Sequence, residues 1–432
     1  METISTVQYT GLDGKSKAMT KKVRLKISSI APLGDGIAIN DGSFYYIPGA
    51  IPGDEVEVEI TRRNKREIYT NLLHIVHPSE MRRDPPCPVF GKCGGCSLLH
   101  MDETAQINAR RDALKRQFGM DEVRVVSAGP ALGYRRLARL HVRRNSDGRV
   151  RLGFFEKRAH RIVDISHCPI LEQRISDILP VLKTGLLRGL KEATIRIATG
   201  DNGIYLHVET ATPPDPIFYS ESKKSVPSIL GGVVLNWDGI TTVVAGGEVL
   251  ALSVSKERQP ILLPAGSFGQ ANRFVNEQLT STVAGWAKDS GATEMLELYA
   301  GAGNFSFMLT DSIKKITMVE LDPGACAVGK KNFSNIPGAN IICEDATTAY
   351  QRIGKTAPLV LLDPPRTGAQ EVAKAMAAQS HNTVIYVSCN PATLKRDLAY
   401  MLKDGYRLQE LIGFDMFPQT PHLEAAALLK KP

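Results

Sequence analysis

The stretch that decides the fold is Leu296-Glu297-Leu298-Tyr299-Ala300-Gly301-Ala302-Gly303-Asn304-Phe305. An apolar strand runs into a glycine-rich turn and then into a helix, so backbone N–H groups can approach a ligand closely. The Gly-x-Gly pattern at Gly301 is a weak signal by itself. The third glycine of a dinucleotide fingerprint is absent because Phe305 and Ser306 fill that region. The stretch therefore predicts a nucleotide-type site that does not take a nicotinamide cofactor.

Strand and helix patterns alternate with short loops on both sides of this turn. Strands are predicted at residues 295–299, 316–320, 340–343, 359–362, 384–387 and near 409–415, with a helix at 391–402. This alternation predicts a Rossmann-like α/β domain over residues 261–432, with an open, largely parallel, doubly wound sheet. Ligands bind at the C-terminal ends of such strands, which is where the polar motifs fall.

Acidic residues follow the next two predicted strands. Glu320 lies seventeen positions after Gly303 and is placed to hydrogen-bond both ribose hydroxyls of a nucleoside. Asp345 is suited to an adenine amino group. The competing interpretation is that acidic strand ends merely cap the following helices. Because a glycine turn precedes these acidic residues, the pattern favours an adenosyl ligand. The absence of a Walker lysine motif disfavours ATP, so S-adenosylmethionine fits best.

A cysteine ends a predicted strand in Ser388-Cys389-Asn390-Pro391, shortly after Asp363-Pro364-Pro365-Arg366. The prolines fix a rigid turn that aims the Asp363 carboxylate at the reactive end of the cofactor. Cys389 opens a helix, where the helix dipole is expected to lower the thiol pKa. Cys326 and Cys343, in a helix and a strand interior, are expected to be ordinary buried cysteines.

These residues suit methylation at C5 of uracil. Uracil C5 is a poor nucleophile, but addition of a thiolate at C6 turns C5 into an enolate carbon that can attack a methyl group. A base must afterwards remove the C5 proton so that the thiolate is eliminated. Glu424, a carboxylate between two apolar segments near the end of the chain, is the candidate base, with His422 as the alternative.

A separate group of cysteines suggests a metal. Cys87, Cys93 and Cys96 follow a C-x5-C-x2-C spacing, and Cys168 comes later. Four soft ligands in a reduced protein suggest zinc or an iron–sulfur cluster. Zinc sites favour paired C-x2-C knuckles, and only one pair exists here. The glycines between Cys93 and Cys96 let the backbone wrap around something bulky.

Composition bounds the remaining possibilities. The 432 residues correspond to about two or three domains. The net charge of +8 is compatible with a polyanionic partner. No apolar run approaches the roughly 18 residues of a membrane span, and the N-terminus lacks a targeting pattern. Seven thinly spread cysteines argue for reduced thiols, so a cytoplasmic protein without a membrane partner is expected.

The N-terminal parts of the chain differ from the Rossmann-like part. Residues 1–20 are expected to be a flexible N-terminus, and 21–78 an OB-like β-barrel, because period-two alternation is punctuated by glycines. The run Arg62-Arg63-Asn64-Lys65-Arg66 then falls at a hairpin tip. It is either a solvated turn or a contact for RNA phosphates. For residues 79–260 the sequence predicts a central α+β domain, with a helix at 104–118 and hairpin turns at 145–148 and 200–203.

With these residues in view, nearly the whole chain resembles the RNA 5-methyluridine methyltransferases that carry an N-terminal TRAM domain. The resemblance is carried by Cys87-x5-Cys93-Gly-Gly-Cys96 with Cys168, by Ser267-Phe268-Gly269-Gln270-Ala271-Asn272, by Asp363-Pro-Pro-Arg366, by Ser388-Cys-Asn-Pro391 and by Asp415-Met-Phe-Pro-Gln-Thr-Pro-His-Leu-Glu424. One departure is Gly269, where the family usually has a bulky residue; this is expected to change the packing beside Gln270.

The resemblance implies residue roles. It implies a [4Fe–4S] cluster on the four cysteines, a Cys389 nucleophile and a Glu424 base. It further implies S-adenosylmethionine held by Gln270, Tyr299, Asn304, Glu320 and Asp363.

The implied partner is RNA, with the target uridine extruded from folded RNA into the pocket. The barrel and the central domain, residues 79–260, are expected to hold the flanking RNA, and the central domain also carries the cluster. A TRAM domain together with a cluster favours 23S rRNA, and a tRNA 5-methyluridine methyltransferase is the alternative. The rival of another class is a non-catalytic RNA-binding iron–sulfur protein. A cytosine C5 methyltransferase and a small-molecule methyltransferase are weaker alternatives. A monomer is expected.

Overall fold

The computed structural model of the chain describes residues 22–226, 228–255 and 258–431. The chain divides into two compact units: one runs to Arg110 and includes Pro418–Pro421, and the other comprises Arg111–Phe417 and the residues from His422 onward. The predicted flexible N-terminus, residues 1–20, lies outside the described residues. The predicted domain boundaries at 21–78, 79–260 and 261–432 stay a prediction. Within the described residues, no helix has the length and apolar content to cross a bilayer.

The first unit contains a six-stranded sheet. Its strands are β1 (Lys22–Lys26), β2 (Ser29–Ile30), β3 (Gly36–Asn40), β4 (Ser43–Ile47), β5 (Glu55–Asn64) and β6 (Glu67–His77), in the order β1-β5-β6-β4-β3-β2. Alternate residues such as Leu25, Val56 and Val58 are buried in one apolar cluster. The period-two pattern of the sequence therefore produces the predicted strands, because each strand buries one face.

The basic run lies at the tip of the β5–β6 hairpin, as predicted. Lys65 has a positive φ of 52°, which closes the turn between Asn64 and Glu67. The Arg62 guanidinium lies 4.4 Å from the centroid of the Tyr69 ring, and that ring stacks on Tyr46 at 5.3 Å. The hairpin thus presents a cation over a stacked aromatic pair.

The short segment Pro418–Pro421 belongs to the first unit through hydrogen bonds of Gln419. Its carbonyl oxygen accepts from the N–H groups of Ser97 at 3.1 Å and Leu98 at 3.0 Å. Its side-chain oxygen accepts from the amide of Gln106 at 2.9 Å. Gln106 lies on helix α1 (Glu103–Phe118), which matches the predicted helix at 104–118.

The second unit begins with a seven-stranded sheet in the order β10-β9-β8-β11-β12-β13-β14. The seven strands of this sheet are β8 (Leu137–Arg144), β9 (Val150–Phe155), β10 (Ile162–Asp164), β11 (Glu192–Gly200), β12 (Gly203–Thr210), β13 (Gly232–Trp237) and β14 (Ile240–Gly246). The same part of the chain contains the helices α2 (Gln173–Thr184) and α3 (Pro216–Ser225), and it is preceded by the short strand β7 (Arg124–Val126), which belongs to another sheet. The β8–β9 and β11–β12 pairs are antiparallel hairpins, which confirms the turns predicted at 145–148 and 200–203.

A small hairpin packs against this sheet. It consists of β15 (Val249–Leu252) and β16 (Ile261–Pro264). Leu250 and Leu263 of the hairpin share an apolar cluster with Tyr205 of β12 and Val234 of β13. The hairpin therefore covers one end of the seven-stranded sheet.

The rest of the second unit is a sheet of eight strands in the order β19-β18-β17-β20-β21-β23-β22-β7. Its remaining elements are α4 (Arg273–Asp289), β17 (Glu294–Leu298), α5 (Ser306–Leu309), β18 (Lys315–Glu320), α6 (Pro323–Asn332), β19 (Ala339–Cys343), α7 (Ala346–Ile353), β20 (Leu359–Leu362), α8 (Gln370–Ala377), β21 (Thr383–Ser388), α9 (Pro391–Lys403), β22 (Arg407–Phe414) and β23 (Glu424–Lys430). Strands β17 to β21 pair in parallel, and β23 is antiparallel to both neighbours.

The predicted doubly wound sheet is confirmed. The central strands β20 and β21 are buried along their whole length, because helices and loops cover both faces in two separate apolar clusters. The edge strand β7 pairs in parallel with β22 and was not predicted, since three residues carry too little pattern. Cys326 is buried in α6 as predicted. Cys343 is exposed at the end of β19, so its predicted burial is wrong.

Candidate active site

A cavity of about 590 Å³ lies at the C-terminal ends of the parallel strands in the second unit. Its volume falls within the usual range for small-molecule sites. All nine residues predicted for catalysis and cofactor binding line it: Gln270, Tyr299, Gly301, Asn304, Glu320, Asp345, Asp363, Cys389 and Glu424. Tyr299, Glu320, Asp363 and Cys389 lie together because the carboxyl ends of the parallel strands meet at one edge of the sheet, and the antiparallel strand β23 begins at the same edge with Glu424. Their individual roles stay predictions.

The glycine turn after β17 forms one wall of the cavity. Gly301 and Gly303 have positive φ values of 57° and 96°, and Tyr299 has 63°. A Cβ atom on Gly303 would lie 2.2 Å from the ring of Phe333, so only glycine fits there. The turn thus brings main chain close to the cavity, as the sequence predicts.

Glu320 is held by main-chain hydrogen bonds at the end of β18. Its carboxylate accepts from the N–H group of Gly301 at 2.8 Å and from those of Leu321 and Asp322, each at 2.8 Å. Asp322, not Glu320, caps helix α6. The helix-capping interpretation is therefore wrong for Glu320, and its carboxylate is fixed at the cavity wall.

Asp345 does cap the helix that follows it. Its side chain accepts from the N–H group of Thr348 at 3.0 Å at the start of α7. The capping interpretation is thus correct for this residue, although Asp345 also lines the cavity. An aspartate that caps a helix keeps a fixed position, because its hydrogen bond to the helix terminus sets its rotamer.

Asn304 and Gln270 are fixed by neighbouring elements. Asn304 exchanges two side-chain hydrogen bonds of 3.0 Å with Asn276 of α4. The carbonyl oxygen of Gln270 accepts from the Arg136 guanidinium at 3.0 Å. Beside Gln270, a Cβ on Gly269 would lie 2.8 Å from the side-chain tip of Leu263. Because Gly269 has no side chain, Leu263 packs closer to the main chain at this position, which is the change in packing that the sequence predicts.

Cys389 lies between strand β21 and helix α9, beside the Asp363-Pro364-Pro365-Arg366 turn. Asn390 caps α9 by accepting from the N–H group of Ala392 at 3.1 Å. Its amide also donates to the carbonyl oxygen of Arg366 at 3.0 Å. The charge of the Arg366 side chain lowers the pKa of the Cys389 thiol. The two sequence motifs therefore form one connected structure around the thiol.

The pKa of the Cys389 thiol is raised to about 11. Burial is the largest cause, the carboxylates of Glu424 and Asp363 add to it, and the charge of Arg366 opposes it. The predicted lowering of this pKa is therefore wrong. Helix α9 does begin next to the thiol, but burial and two carboxylates outweigh its dipole.

The two carboxyl groups at the bottom of the cavity are also shifted. Burial raises the pKa of Asp363, and it raises the pKa of Glu424 well above its ordinary value. Repulsion by Asp363 adds to the shift of Glu424, and Arg366 opposes it. A carboxylate with a raised pKa is a stronger base than an exposed one, which suits proton abstraction.

Three comparisons bear on what this cavity does. Residues 250–432 match the sequence family described as tRNA (uracil-5-)-methyltransferase. The chain is 31% identical over 427 residues to the 23S rRNA (uracil(1939)-C(5))-methyltransferase of Pseudomonas fluorescens, covering 95% of this chain and 92% of that one. The corresponding protein of Shewanella amazonensis is 31% identical, covering 96% of this chain and 97% of that one. The chain belongs to the S-adenosylmethionine-dependent RNA uracil-C5 methyltransferase family.

This membership confirms the predicted family at the level of RNA 5-methyluridine methyltransferases, and it confirms the predicted S-adenosylmethionine-dependent methylation of uridine C5 in RNA. A solved structure adds to it at the level of the fold. The Pyrococcus abyssi tRNA (uracil-54, C5)-methyltransferase, in complex with S-adenosyl-L-homocysteine, is similar with a TM-score of 0.73. It is 23% identical and covers 94% of this chain and all of that chain. Both units of this methyltransferase therefore have counterparts in one known architecture.

Two residues of the methyltransferase near the cavity were missed by sequence reasoning. Arg136 lines it beside Gln270. Glu297 lies fully buried on β17 and accepts from the N–H group of Ser306 at 3.1 Å. Burial raises its pKa to about 8. The only signal in the sequence was an acid inside an apolar strand, which indicates burial but not its purpose.

The predicted alternative base of the methyltransferase lies elsewhere. His422 packs edge-on against Phe417, with ring centroids 6.3 Å apart. Among the described residues that line the cavity, Phe417 is present and His422 is not. Of the two candidates for the base, the geometry therefore favours Glu424.

The methyltransferase's predicted metal ligands are divided between the units. Cys87, Cys93 and Cys96 lie in one loop of the first unit, where the N–H group of Gly95 donates to the Cys93 sulfur at 3.4 Å. Cys168 is buried in the second unit. In the described parts of the chain, no three His, Cys, Asp or Glu residues are grouped as ligands of one metal ion. In a [4Fe–4S] cubane each cysteine binds a different iron, so the four sulfur atoms need not surround a single metal ion.

Proposed function

We propose that this methyltransferase converts a uridine of 23S rRNA to 5-methyluridine, with Cys389 as nucleophile and Glu424 as general base. The single observation that carries the assignment is that Cys389, Asp363 and Glu424 line the same cavity as the glycine turn and Glu320. The nucleophile and the methyl donor must reach the same uracil ring, and these residues surround a single cavity.

The cavity wall offers the groups that S-adenosylmethionine needs. Glu320 is fixed by three main-chain N–H groups and faces the cavity next to the Gly301 turn. We assign it to the ribose hydroxyls, with Asp345 near the adenine, and Gln270, Tyr299, Asn304 and Asp363 completing the site. When bound, S-adenosylmethionine supplies an electrophilic methyl group.

The side chains of the protein carry out the other steps. The Cys389 thiolate adds to C6 of uracil, and the electrons of the C5–C6 double bond make C5 nucleophilic. After C5 has gained the methyl group, Glu424 removes the C5 proton. The electrons of that C–H bond restore the double bond and expel the Cys389 thiolate. The products are 5-methyluridine in RNA, the demethylated cofactor and a proton on Glu424.

Arg366 has a specific part in the first step. The thiol must lose its proton before attack, yet its pKa is raised to about 11. Arg366 lines the same cavity and is the group that lowers this pKa. We therefore assign Arg366 to stabilising the thiolate.

Curated relatives of nearly the same length favour 23S rRNA as the substrate. The test is a deletion strain in which 5-methyluridine is mapped in rRNA and tRNA, and which is complemented with wild type or Cys389→Ala. Loss of one rRNA methylation that only the wild type restores is the expected result. Loss in tRNA alone would assign the tRNA activity instead, and no loss in either would leave the non-catalytic RNA-binding class.

We further propose a structural [4Fe–4S] cluster on Cys87, Cys93, Cys96 and Cys168. Three thiols in one loop, with an N–H group directed at the Cys93 sulfur, provide a donor set suited to iron. Anaerobically purified protein should be brown and contain about four irons per chain. Stoichiometric zinc without iron would contradict the proposal. Replacing any one of the cysteines should impair folding before chemistry.

The first unit is proposed to be an OB-like barrel of the TRAM type that binds RNA. Its strand order and the Arg62–Tyr69–Tyr46 stack support this, because such a stack suits bases and phosphates. A cytoplasmic location and a monomeric state stay predictions.

A further inference from the structure

A fully buried carboxylate on helix α9 joins three elements of the second unit. The Oδ2 atom of Asp397 accepts from the Tyr386 hydroxyl at 2.6 Å and from the N–H group of Ala369 at 2.8 Å. Its Oδ1 atom accepts from Nε of Arg396 at 2.8 Å. A buried carboxylate is costly unless it is paired and hydrogen-bonded, as Asp397 is. Asp397 thus ties α9 to strand β21 and to the segment that follows strand β20.

Arg396, the ion-pair partner of Asp397, holds the same segment. Its Nη2 atom donates to the carbonyl oxygen of Thr367 at 2.9 Å and lies 2.7 Å from the Asp397 carboxylate. Gly368 lies between these contacts, with a positive φ of 76°. A Cβ atom there would lie 2.5 Å from Oδ2 of Asp397 and 2.6 Å from Nη2 of Arg396. The segment therefore packs directly against the ion pair, which only glycine permits at this position.

Two further residues of α9 hold the preceding residue of that segment. Asn390 and Thr393 donate to the carbonyl oxygen of Arg366, at 3.0 and 3.3 Å. Positions 390, 393 and 397 are separated by three and four residues, a spacing that places side chains on one face of a helix. This face of α9 therefore holds the main chain of residues 366, 367 and 369. We call Asn390, Thr393, Arg396 and Asp397 the α9 clamp.

The α9 clamp holds a cation near the nucleophile. Arg366 lines the cavity, and Cys389 lies two residues before the start of α9. Burial, then the carboxylates of Glu424 and Asp363, raise the pKa of the thiol. The charge of Arg366 opposes them, and the size of that effect depends on distance, because a Coulomb interaction weakens with separation. The clamp fixes the main chain that carries Arg366 to the helix that follows the thiol, so it sets this separation.

We propose that Arg396 and Asp397 are positioning residues for the attack on uracil. They hold Arg366 where its charge stabilises the Cys389 thiolate. The inference rests on the proposed function in so far as Cys389 is the nucleophile. Arg396 and Asp397 neutralise each other, so they act on the thiol through the position of Arg366 and not through their own charges.

A purely structural role of the ion pair would have different consequences. Cys389 is half-buried, so a loosened α9 would expose the thiol and speed its reaction with an alkylating reagent. Displacement of Arg366 would instead slow that reaction, because less of the reactive thiolate would be present. Asp363 is held separately, since its N–H group donates to the carbonyl oxygen of Leu298 at 3.4 Å. Binding of S-adenosylmethionine should therefore survive the displacement of Arg366.

The first test uses full-length Asp397→Asn protein, because asparagine keeps the volume of the side chain and removes its charge. Modification of Cys389 by iodoacetamide is followed by mass spectrometry of its peptide between pH 7 and 9. The rate should fall about three- to tenfold, which corresponds to about half to one pKa unit. The value of kcat/KM for a transcribed 23S rRNA fragment should fall by the same factor, with unchanged affinity for S-adenosylmethionine. Faster alkylation than in the wild type would overturn the inference.

Arg396→Met guards against misfolding of Asp397→Asn. The Arg396 side chain is 37% exposed, so its replacement disturbs the core less. The variant loses the donor to Thr367 and should also slow both alkylation and methyl transfer. The matched control is Tyr350→Phe, which removes a buried hydroxyl bonded to His381 at 2.6 Å within the same apolar cluster as Tyr386. This control should have the wild-type alkylation rate and kcat/KM.

A double substitution decides whether the ion pair acts through Arg366. If it does, Arg366→Gln/Asp397→Asn should be no slower than Arg366→Gln alone, because the positioned charge is already gone. Losses that add would overturn the inference, as would wild-type alkylation rates in both Asp397→Asn and Arg396→Met. Alkylation needs neither RNA nor methyl transfer, so it tests the clamp even if the proposed function fails. That failure would be seen separately, as full activity of Cys389→Ala.

Discussion

The side-chain amide of Asn390 donates to the carbonyl oxygen of Arg366 at 3.0 Å and so ties the turn after Cys389 to the turn after Asp363. Thr393, one turn into helix α9, donates to the same carbonyl at 3.3 Å. The turn that carries the nucleophile and the turn that carries Arg366 are therefore joined by two hydrogen bonds from side chains to one main-chain carbonyl.

The nucleophile and the base should be separable by substitution. Cys389→Ala should abolish methyl transfer and leave no covalent RNA complex, because C5 never becomes nucleophilic. Glu424→Gln should still allow attack and methylation but should not remove the C5 proton. A methylated, covalently linked RNA adduct should then accumulate as a slow band on a denaturing gel.

The double substitution and the His422→Ala variant are the controls for this trapping experiment. The double variant should lose the slow band. If Glu424→Gln turns over normally while His422→Ala traps the adduct, His422 is the base. If neither traps it, Asp363 is the next carboxylate to replace.

The rate should depend on pH through the Cys389 thiol. Its pKa is raised to about 11, so the thiolate fraction, and with it kcat/KM for RNA, should rise with pH through the neutral range. Arg366→Gln removes the group that lowers this pKa. Each unit of further increase would leave about tenfold less thiolate at every pH below that pKa, so the loss should be about equal at pH 7.5 and pH 9.

Arg407→Gln, an exposed arginine on β22, is the matched control for Arg366→Gln and should leave the pH–rate profile unchanged. A wild-type profile that is flat between pH 7 and 9, or an Arg366→Gln protein with the wild-type rate at both pH values, would contradict this role of Arg366. Both are measured as initial rates of tritiated methyl transfer.

The basic hairpin tip should contribute to RNA affinity but not to cofactor binding. Replacing Arg62, Arg63, Lys65 and Arg66 with serine should weaken RNA binding and flatten its salt dependence, by about 0.9 or less per lost phosphate contact. The control replaces four exposed lysines of the second unit: Lys330, Lys331, Lys355 and Lys403. Equal RNA affinity of the two variants would show that the run is only a solvated turn.

Glu297 should make stability depend on pH. Burial raises its pKa to about 8 from an ordinary value of 4.5, so its charged form is unfavourable in the folded protein. Stability should therefore be lost as pH rises from about 4.5 to about 8. Glu297→Gln removes that loss and should increase the free energy of unfolding at pH 8 by about 1–3 kcal/mol, with little change at pH 4.5.

Urea unfolding at several pH values measures this effect. Glu294→Gln, at the exposed start of the same strand, is the control and should not change the pH dependence of stability. A Glu297→Gln protein that is less stable than the wild type at pH 8 would show that the ionised carboxylate stabilises the fold.

The sequence patterns alone predicted the doubly wound sheet and, around its cavity, the glycine turn, Glu320, Asp345, Asp363, Cys389 and Glu424. The family resemblance added Gln270, Tyr299 and Asn304, and Arg136 was missed. Apolar runs such as Leu359–Leu362 are local patterns, and their alternation with helices leaves few possible topologies. Because parallel strands end at one edge, residues after each strand, such as Glu320 and Cys389, had to lie together. The thiol and carboxylate types at those ends then indicated the chemistry.

Only the tertiary structure decided the electrostatics and the pairings over long sequence distances. The pKa of Cys389 is raised because burial and two carboxylates from other strands outweigh the local helix terminus, and no local pattern contains that balance. Strand β7 joins the far edge of a sheet almost 300 residues away in sequence. The register of β8, β9 and β11 likewise brings Arg139 beside Arg196 and His141 onto Phe155. Desolvation and register are properties of what packs against a residue, so the chain order does not reveal them.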